Sequence, residues 1–225
     1  MENISSTSIL RAQTRARVVE QREPFLKSPL DLVLALTMLL VGSPVLLLIT
    51  LLIKREDGGP ILYKQDRWGR GGKTFRVYKF RTMVPDSDEK YGIRQARNND
   101  DRITRIGKTL RAMGLDELPQ LLNILKGEMS FVGPRALAIG EIVNDGKGNL
   151  VTVENVAGFY TRLAVRPGLT SLATIYLPKD APPRKKFAYD LVYVKHQSLA
   201  LDVRLIALSF WISFRGKWET RARKV

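Results

Sequence analysis

The alternation of apolar and polar positions changes character several times along the chain. Residues 1–29 are polar, Ser/Thr-rich at first and Arg-rich later, which predicts a segment without its own core. From Leu30 to Ile53 the chain is almost wholly apolar, and Asp31 is the only charge. As a helix these residues reach about 36 Å, enough to cross a hydrocarbon core. The run is too long and too far from the start for a signal sequence, and no small-residue cleavage site follows it. Its middle is interrupted by Gly42-Ser43-Pro44. Pro44 cannot donate to the Leu40 carbonyl and clashes with it, which predicts a kink, and the Ser43 hydroxyl can satisfy the freed group. Basic residues flank both ends, Arg15, Arg17, Arg22 and Lys27 before and Lys54, Arg55, Lys64 and Arg67 after. The positive-inside tendency keeps both flanks on the cytoplasmic side. A single span is the default reading of such a run. A Ser-Pro kinked, re-entrant membrane helix over 30–53 accounts for the proline and the flanks together.

Past a turn cluster at 54–60, Ile61–Gln65 reads as a strand and Thr74–Phe80 as its partner. The basic glycine-rich stretch between them, Arg67-Trp68-Gly69-Arg70-Gly71-Gly72, lacks the Lys-Ser/Thr ending of a P-loop and fits a hairpin turn. Lys79 and Arg81 stand at i and i+2 on one face of the second strand, where two cations suit a diphosphate. A solvated strand face is the plain alternative. Residues 85–101 are charged and turn-rich, as in a surface loop. Then Ile103, Ile106, Leu110 and Met113 line one helical face while Arg102, Arg105, Lys108 and Arg111 fill the other. Such a basic amphipathic helix lies at an anionic membrane interface or packs on a core with its charges in water. Helical patterns continue through Val143 and over 151–163, and 165–170 reads as a turn carrying Arg166. Pro182-Pro183 opens a helix with Phe187, Leu191 and Val194 inward. Asp190 sits at the margin of that face, paired with Lys186 or with a buried arginine. Leu199–Trp218 is strongly apolar but too short to span, and with Trp211 and Trp218 it resembles an interfacial helix. The predicted class is α+β and mostly helical. It has a polar segment 1–29, a membrane helix 30–53, a cytoplasmic catalytic domain 54–218 with interfacial helices, and a basic tail 219–225.

Charge narrows the partners. A net +15 over 225 residues predicts an anionic partner, and the low aromatic content fits a lipid surface or phosphorylated substrate better than nucleic acid. The absence of cysteine excludes disulfides, thiolate metal sites and a Cys nucleophile, and one histidine gives poor support to a His-based metal site.

The chemistry concentrates at Asp116-Glu117, which open the apolar pattern Leu118, Leu121, Leu122 and Leu125. Asp116 suits a helix N-cap, where the dipole keeps a carboxylate ionised and free N–H groups receive phosphate. An ionised Asp beside such donors can attack phosphorus or hold a divalent cation. An ordinary capping Asp followed by a solvated Glu is the plain reading of the pair alone. Arg111, about one turn earlier, is positioned to reach a phosphate or to influence Asp116.

These fragments, in this order, resemble the bacterial sugar transferases of the monotopic polyprenyl-phosphate phosphoglycosyl transferase family, in their small catalytic-core form. The resemblance runs from about Lys27 to Trp218. It includes Ser43-Pro44, the run Tyr78–Met83, Leu115-Asp116-Glu117-Leu118, the run Asn123–Arg135, the run Val165–Thr170 and the run Asp190–Lys195. It implies transfer of a sugar-1-phosphate from a UDP-sugar to undecaprenyl phosphate, with release of UMP. The reaction would pass through a covalent phosphosugar on Asp116, at the cytoplasmic face of the bacterial inner membrane. It also implies Mg2+ at Asp116 and Glu117, with Lys79, Arg81, Arg111, Arg135, Arg166 and Asp190 as substrate- or phosphate-binding residues. Inner-leaflet phospholipids are expected partners, a homodimer is admissible, and nucleic acid is not expected. Relatives often carry a second proline where this chain has Ala136, and they differ from Ser171-Leu172-Ala173-Thr174-Ile175. Both departures bear on the nucleotide or sugar pocket and leave the sugar open. The competing function is a non-catalytic membrane-surface protein that binds acidic lipids. Nucleic-acid binding is weaker, since no helix-turn-helix or zinc signal is present.

Overall fold

The computed structural model describes residues 10, 13, 14, 17–85, 87, 100–144 and 148–218. The basic tail 219–225, the flanking Arg15, most of the loop 85–101 and residues 145–147 lie outside the described residues. Helix α1 runs Lys27–Asp57, and Lys54 and Arg55 in its last turn oppose the negative dipole end. Pro44 lies inside this helix without interrupting it. The Ser43 hydroxyl donates to the Leu40 carbonyl at 2.8 Å, supplying the bond that the proline cannot make.

Both ends of α1 fasten to the same body. Near its start, Leu34, Ala35, Met38 and Leu39 pack into the main core with Val132, Leu205 and Ile212. Near its end, Leu46, Ile49 and Ile53 pack with Phe80 and Leu110. Between these anchors Leu40, Val41, Val45, Leu47 and Leu48 are exposed. Among the described residues it is the one helix long and apolar enough to cross a membrane.

The start of α1 carries a cluster of buried charges. The Lys27 ammonium lies 2.6 Å from Asp202, and also donates to the Val132 carbonyl and the Tyr193 hydroxyl. Asp31 accepts from Ser130 and from the Phe131 N–H, both at 3.0 Å. Arg166 reaches Glu23 at 2.6 Å and Asp31 at 3.0 Å. Asp31, the lone charge in the apolar run, is therefore a partner to backbone and cations.

The expected hairpin is present: β1 (Leu62–Trp68) pairs antiparallel with β2 (Thr74–Phe80), and a short 3-10 turn at Arg70–Gly72 joins them. Helix α2 (Arg105–Met113) is capped by the Thr104 side chain, which accepts from the Gly107 N–H. It lies so closely against the segment that follows β2 that a Cβ on Gly107 would stand 2.3 Å from the Thr82 carbonyl oxygen. Gly114 ends α2 at φ 71°, a left-handed turn that glycine adopts freely, and the chain enters a 3-10 turn at Leu115–Gln120 before α3 (Leu121–Leu125). Asp116 thus sits within a 3-10 turn and is not an N-cap.

Three further expectations are corrected. The pattern read as helical through Val143 and from 151 holds a small antiparallel hairpin, β4 (Ile142–Asn144) with β5 (Leu150–Thr152). Of the second predicted helix only α4 (Phe159–Arg162) forms. The turn read over 165–170 contains β6 (Gly168–Thr170), which pairs in parallel with β3 (Ser130–Val132). Short runs of apolar residues do not declare their period, and long-range pairing decides them. Helices α5 (Leu172–Tyr176), α6 (Pro183–His196) and α7 (Leu199–Phe214) complete the fold. Phe210, Trp211 and Phe214 on α7 are also exposed.

Lys27→Met should destabilise the fold by about 3–5 kcal/mol, because Asp202 is left buried without its cation. Lys27→Met combined with Asp202→Leu should recover most of that loss in denaturant unfolding of the detergent-solubilised protein.

Candidate active site

Three elements converge on the carboxylate pair. The end of β2 presents Lys79, the 3-10 turn presents Asp116 and Glu117, and the loop after β3 presents Arg135. Asn123, fully buried, sets the relation of the first two. Its amide donates to the Arg76 carbonyl at 2.8 Å and to Glu128 at 2.7 Å, and its oxygen accepts from the Tyr78 N–H at 3.2 Å. The strand edge is thereby locked against α3, one residue from Lys79. Nothing in the local sequence pattern singled out Asn123, because its role is to satisfy backbone groups far away in the chain.

Glu117 takes both nearby cations. Its Oε1 lies 2.5 Å from the Lys79 ammonium and 2.8 Å from the Arg135 guanidinium. Burial opposes ionisation, yet Arg135 and Lys79 together hold the Glu117 carboxyl well below the usual range. Burial also pushes Lys79 down to about 8, against the pull of Glu117.

Asp116 is different. It is buried at the cavity wall and, among the described residues, makes no hydrogen bond or ion pair. Burial and the adjacent Glu117 charge push it up to about 6, against Lys79, Arg111 and Arg135. Helix-dipole stabilisation of its charge, expected from an N-cap, is replaced by desolvation. At neutral pH it remains mainly the carboxylate, but an uneasy one.

Lys79, Arg111, Arg135, Asp116, Glu117 and Asp190 all line one cavity of about 720 Å³. Arg111 donates to the Thr82 hydroxyl at 3.4 Å. Asp190 pairs with Arg162 at 2.8 Å, so its partner is the buried arginine rather than Lys186. Arg81 also borders the cavity, but its guanidinium forks onto the Asp57 carboxylate and donates to the Pro60 carbonyl at 2.6 Å. It fastens the end of α1. Arg166 is not brought to the cavity and belongs to the cluster around Asp31 and Glu23. Sequence reasoning missed Arg67 and Arg162 as site residues, both at the cavity wall, since each reaches a backbone carbonyl far away in the chain. Ala136, Ser171, Ala173 and Thr174, where the sequence departs from its resemblance, line the same space.

The donor set suits a hard divalent cation in one respect. Such ions take one or two carboxylates plus substrate phosphate oxygens, and Asp116 keeps its oxygens unpartnered. No cluster of three or more His, Cys, Asp or Glu able to hold a metal by itself occurs among the described residues.

Comparison with known proteins points to one family. The family described as "Bacterial sugar transferase" matches residues 22–216. The exopolysaccharide production protein PSS of Rhizobium leguminosarum bv. phaseoli is 46% identical over 186 residues, covering 80% of this chain and 91% of that protein. The UDP-glucose:undecaprenyl-phosphate glucose-1-phosphate transferase of Klebsiella pneumoniae is 37% identical over 83% of this chain and 40% of its own. A UDP-N-acetylgalactosamine-undecaprenyl-phosphate N-acetylgalactosaminephosphotransferase of Aeromonas hydrophila is likewise 37% identical, over 81% and 42%. The chain thus spans less than half the length of these two transferases.

The raised Asp116 carboxyl has a stability sign. Between its usual value of 3.8 and about 6 the folded state binds more protons than the unfolded one, so stability falls as pH rises through that window and stays lower above it. In metal-free buffer at pH 8, Asp116→Asn should therefore leave the melting temperature unchanged or raise it. A drop of several degrees would show that the carboxylate is structural.

Proposed function

The chain belongs to the bacterial sugar transferase family, and on that premise we propose that it moves a sugar-1-phosphate from a UDP-sugar onto undecaprenyl phosphate, releasing UMP. One observation carries the proposal: of two adjacent buried carboxylates, Glu117 absorbs the cations and Asp116 is left open to the cavity. An Asp oxygen without competing hydrogen bonds is a free nucleophile. In the first half-reaction Asp116 attacks the sugar-bearing phosphorus and the bond to the UMP oxygen breaks. In the second, an oxygen of undecaprenyl phosphate attacks that phosphorus and Asp116 departs as the carboxylate. The product is a lipid diphosphate sugar. Lys79, Arg111 and Arg135 neutralise phosphate charge along this course. Mg2+ held between Asp116, Glu117 and the diphosphate would add further charge neutralisation.

The lipid acceptor requires a site at a membrane, and α1 supports a one-sided attachment. Asp57 is fixed to Arg81 and Lys27 to Asp202, so both helix ends stay with the domain that carries the site. A spanning helix would separate its ends by about 30 Å of hydrocarbon. We therefore read α1 as re-entrant from the cytoplasmic face, its exposed middle in the lipid. The exposed aromatic residues Phe210, Trp211 and Phe214 of α7 suit the interface in this reading. The alternative, a non-catalytic binder of acidic lipids, gives no reason for a cavity with an unpartnered carboxylate.

Two measurements test this reading. Purified protein with undecaprenyl phosphate, Mg2+ and a panel of UDP-sugars should release UMP, and donor alone should leave a phosphosugar adduct at position 116 by mass spectrometry. Asp116→Asn should lower turnover by at least about a thousandfold while lipid binding persists. No UMP from any donor, or turnover surviving that change, would defeat the proposal. For topology, the chain has no native cysteine, so single Arg22→Cys and Lys64→Cys variants can be labelled cleanly. Both should react with an impermeant maleimide from the cytoplasmic side, and reaction from opposite sides would mean a span.

A further inference from the structure

The loop that carries Arg135 into the cavity is held by two arginines distant in sequence. Arg162, from α4, donates its Nη2 to the Arg135 carbonyl at 2.6 Å. The same guanidinium meets the Asp190 Oδ2 of α6 at 2.8 and 3.1 Å and lies over the Phe187 ring, 4.5 Å from its centroid. Arg67, near the end of β1, donates its Nη1 to the next carbonyl, that of Ala136, at 2.6 Å. Its Nε and Nη2 share the Gln65 Oε1 at 3.1 and 2.8 Å. The neighbouring Trp68 N–H meets the Leu137 carbonyl at 3.0 Å. Three successive carbonyls, from 135 to 137, thus each have a donor from outside the loop.

Both arginines border the cavity, which invites a phosphate-binding role, but the recorded bonds tell otherwise. Their donors end on backbone carbonyls, on Asp190 and on Gln65, whereas Arg135 reaches Glu117 at 2.8 Å. Charge-assisted bonds are roughly twice as strong as neutral ones. Two of them on adjacent peptide units fix the frame from which the Arg135 side chain extends. Arg135 is the more exposed partner of Glu117, so without that frame its long side chain would roam. We infer that Arg67 and Arg162 are positioning residues for the transfer reaction, which set Arg135 against Glu117 by gripping the carbonyls of the loop, and that Asp190 orients Arg162.

The kinetic part of this inference rests on the transferase reading, so its test includes a measurement that does not. Arg162→Gln and Arg67→Gln should raise amide exchange in a peptide covering 133–138 by about tenfold or more, with α1 unchanged. Arg162→Lys keeps the charge beside Asp190 but loses the fork, and it should show the same exchange effect if Arg162→Gln does not fold. In turnover assays, Arg162→Gln should lower kcat by about tenfold or more and leave donor KM within about threefold. In an Arg135→Ala background the same change should alter kcat by less than about twofold, since the effect passes through Arg135. Unchanged exchange in the loop, additive losses in the double variant, or a loss confined to KM would each overturn the inference. If exchange rises but the unmutated protein releases no UMP, the transferase reading fails and the positioning role stands.

Discussion

Two carboxylates cannot be buried side by side without help, and the arrangement of the site follows from how that repulsion is met. Lys79 and Arg135 both go to Glu117, which settles one charge deeply and leaves the other without a bond of its own. To deliver those cations the fold must bring a strand end, a 3-10 turn and a loop after β3 to one point. Asn123 locks the strand to the helix after the turn, and parallel pairing of β3 with β6 launches the loop. On the proposed reaction, the unequal treatment of the pair is what distinguishes the nucleophile from its neighbour.

The long apolar helix α1 is built into the same framework. Lys27 touches the carbonyl of Val132 and Asp31 the N–H of Phe131, both on β3, just ahead of the loop that carries Arg135. Charged residues at the start of an apolar helix are costly unless satisfied, and here they are satisfied by the backbone that leads to the site and by Asp202, Arg166 and Glu23. The long apolar helix and the backbone of the candidate site therefore share residues.

Much of this was legible in the sequence where a single local rule governs. The long apolar run, the hairpin around the glycine-rich turn, the helix after Pro182-Pro183 and the carboxylate pair each declare themselves over a few residues. Ser43 was also readable, because the carbonyl it must satisfy is fixed by helix geometry. What failed depends on distant partners. Arg81 and Arg166 look like phosphate ligands until Asp57, Glu23 and Asp31 fold against them, and no spacing rule links positions that far apart. The three-residue strands β4, β5 and β6 carry too few side chains to show a period of two. Asp116 read as a cap because a 3-10 turn and an α-helix begin with the same residue types. Arg162 and Arg67 gave no signal of a shared role, since the bonds that bring them to one loop go to the backbone carbonyls of Arg135 and Ala136, and any sequence supplies carbonyls.

A helix fastened at both ends to one body has its depth of immersion set by that body. Spanning helices answer to bilayer thickness by tilting, or by stretching the lipid around them. Here Asp57 with Arg81 at one end, and Lys27 with Asp202 at the other, fix the height of α1 relative to the cavity. On the proposed one-sided attachment, the candidate site keeps a constant distance from the headgroup plane whether the surrounding lipids are short or long, and a phosphate carried on a lipid tail arrives at the same level each time.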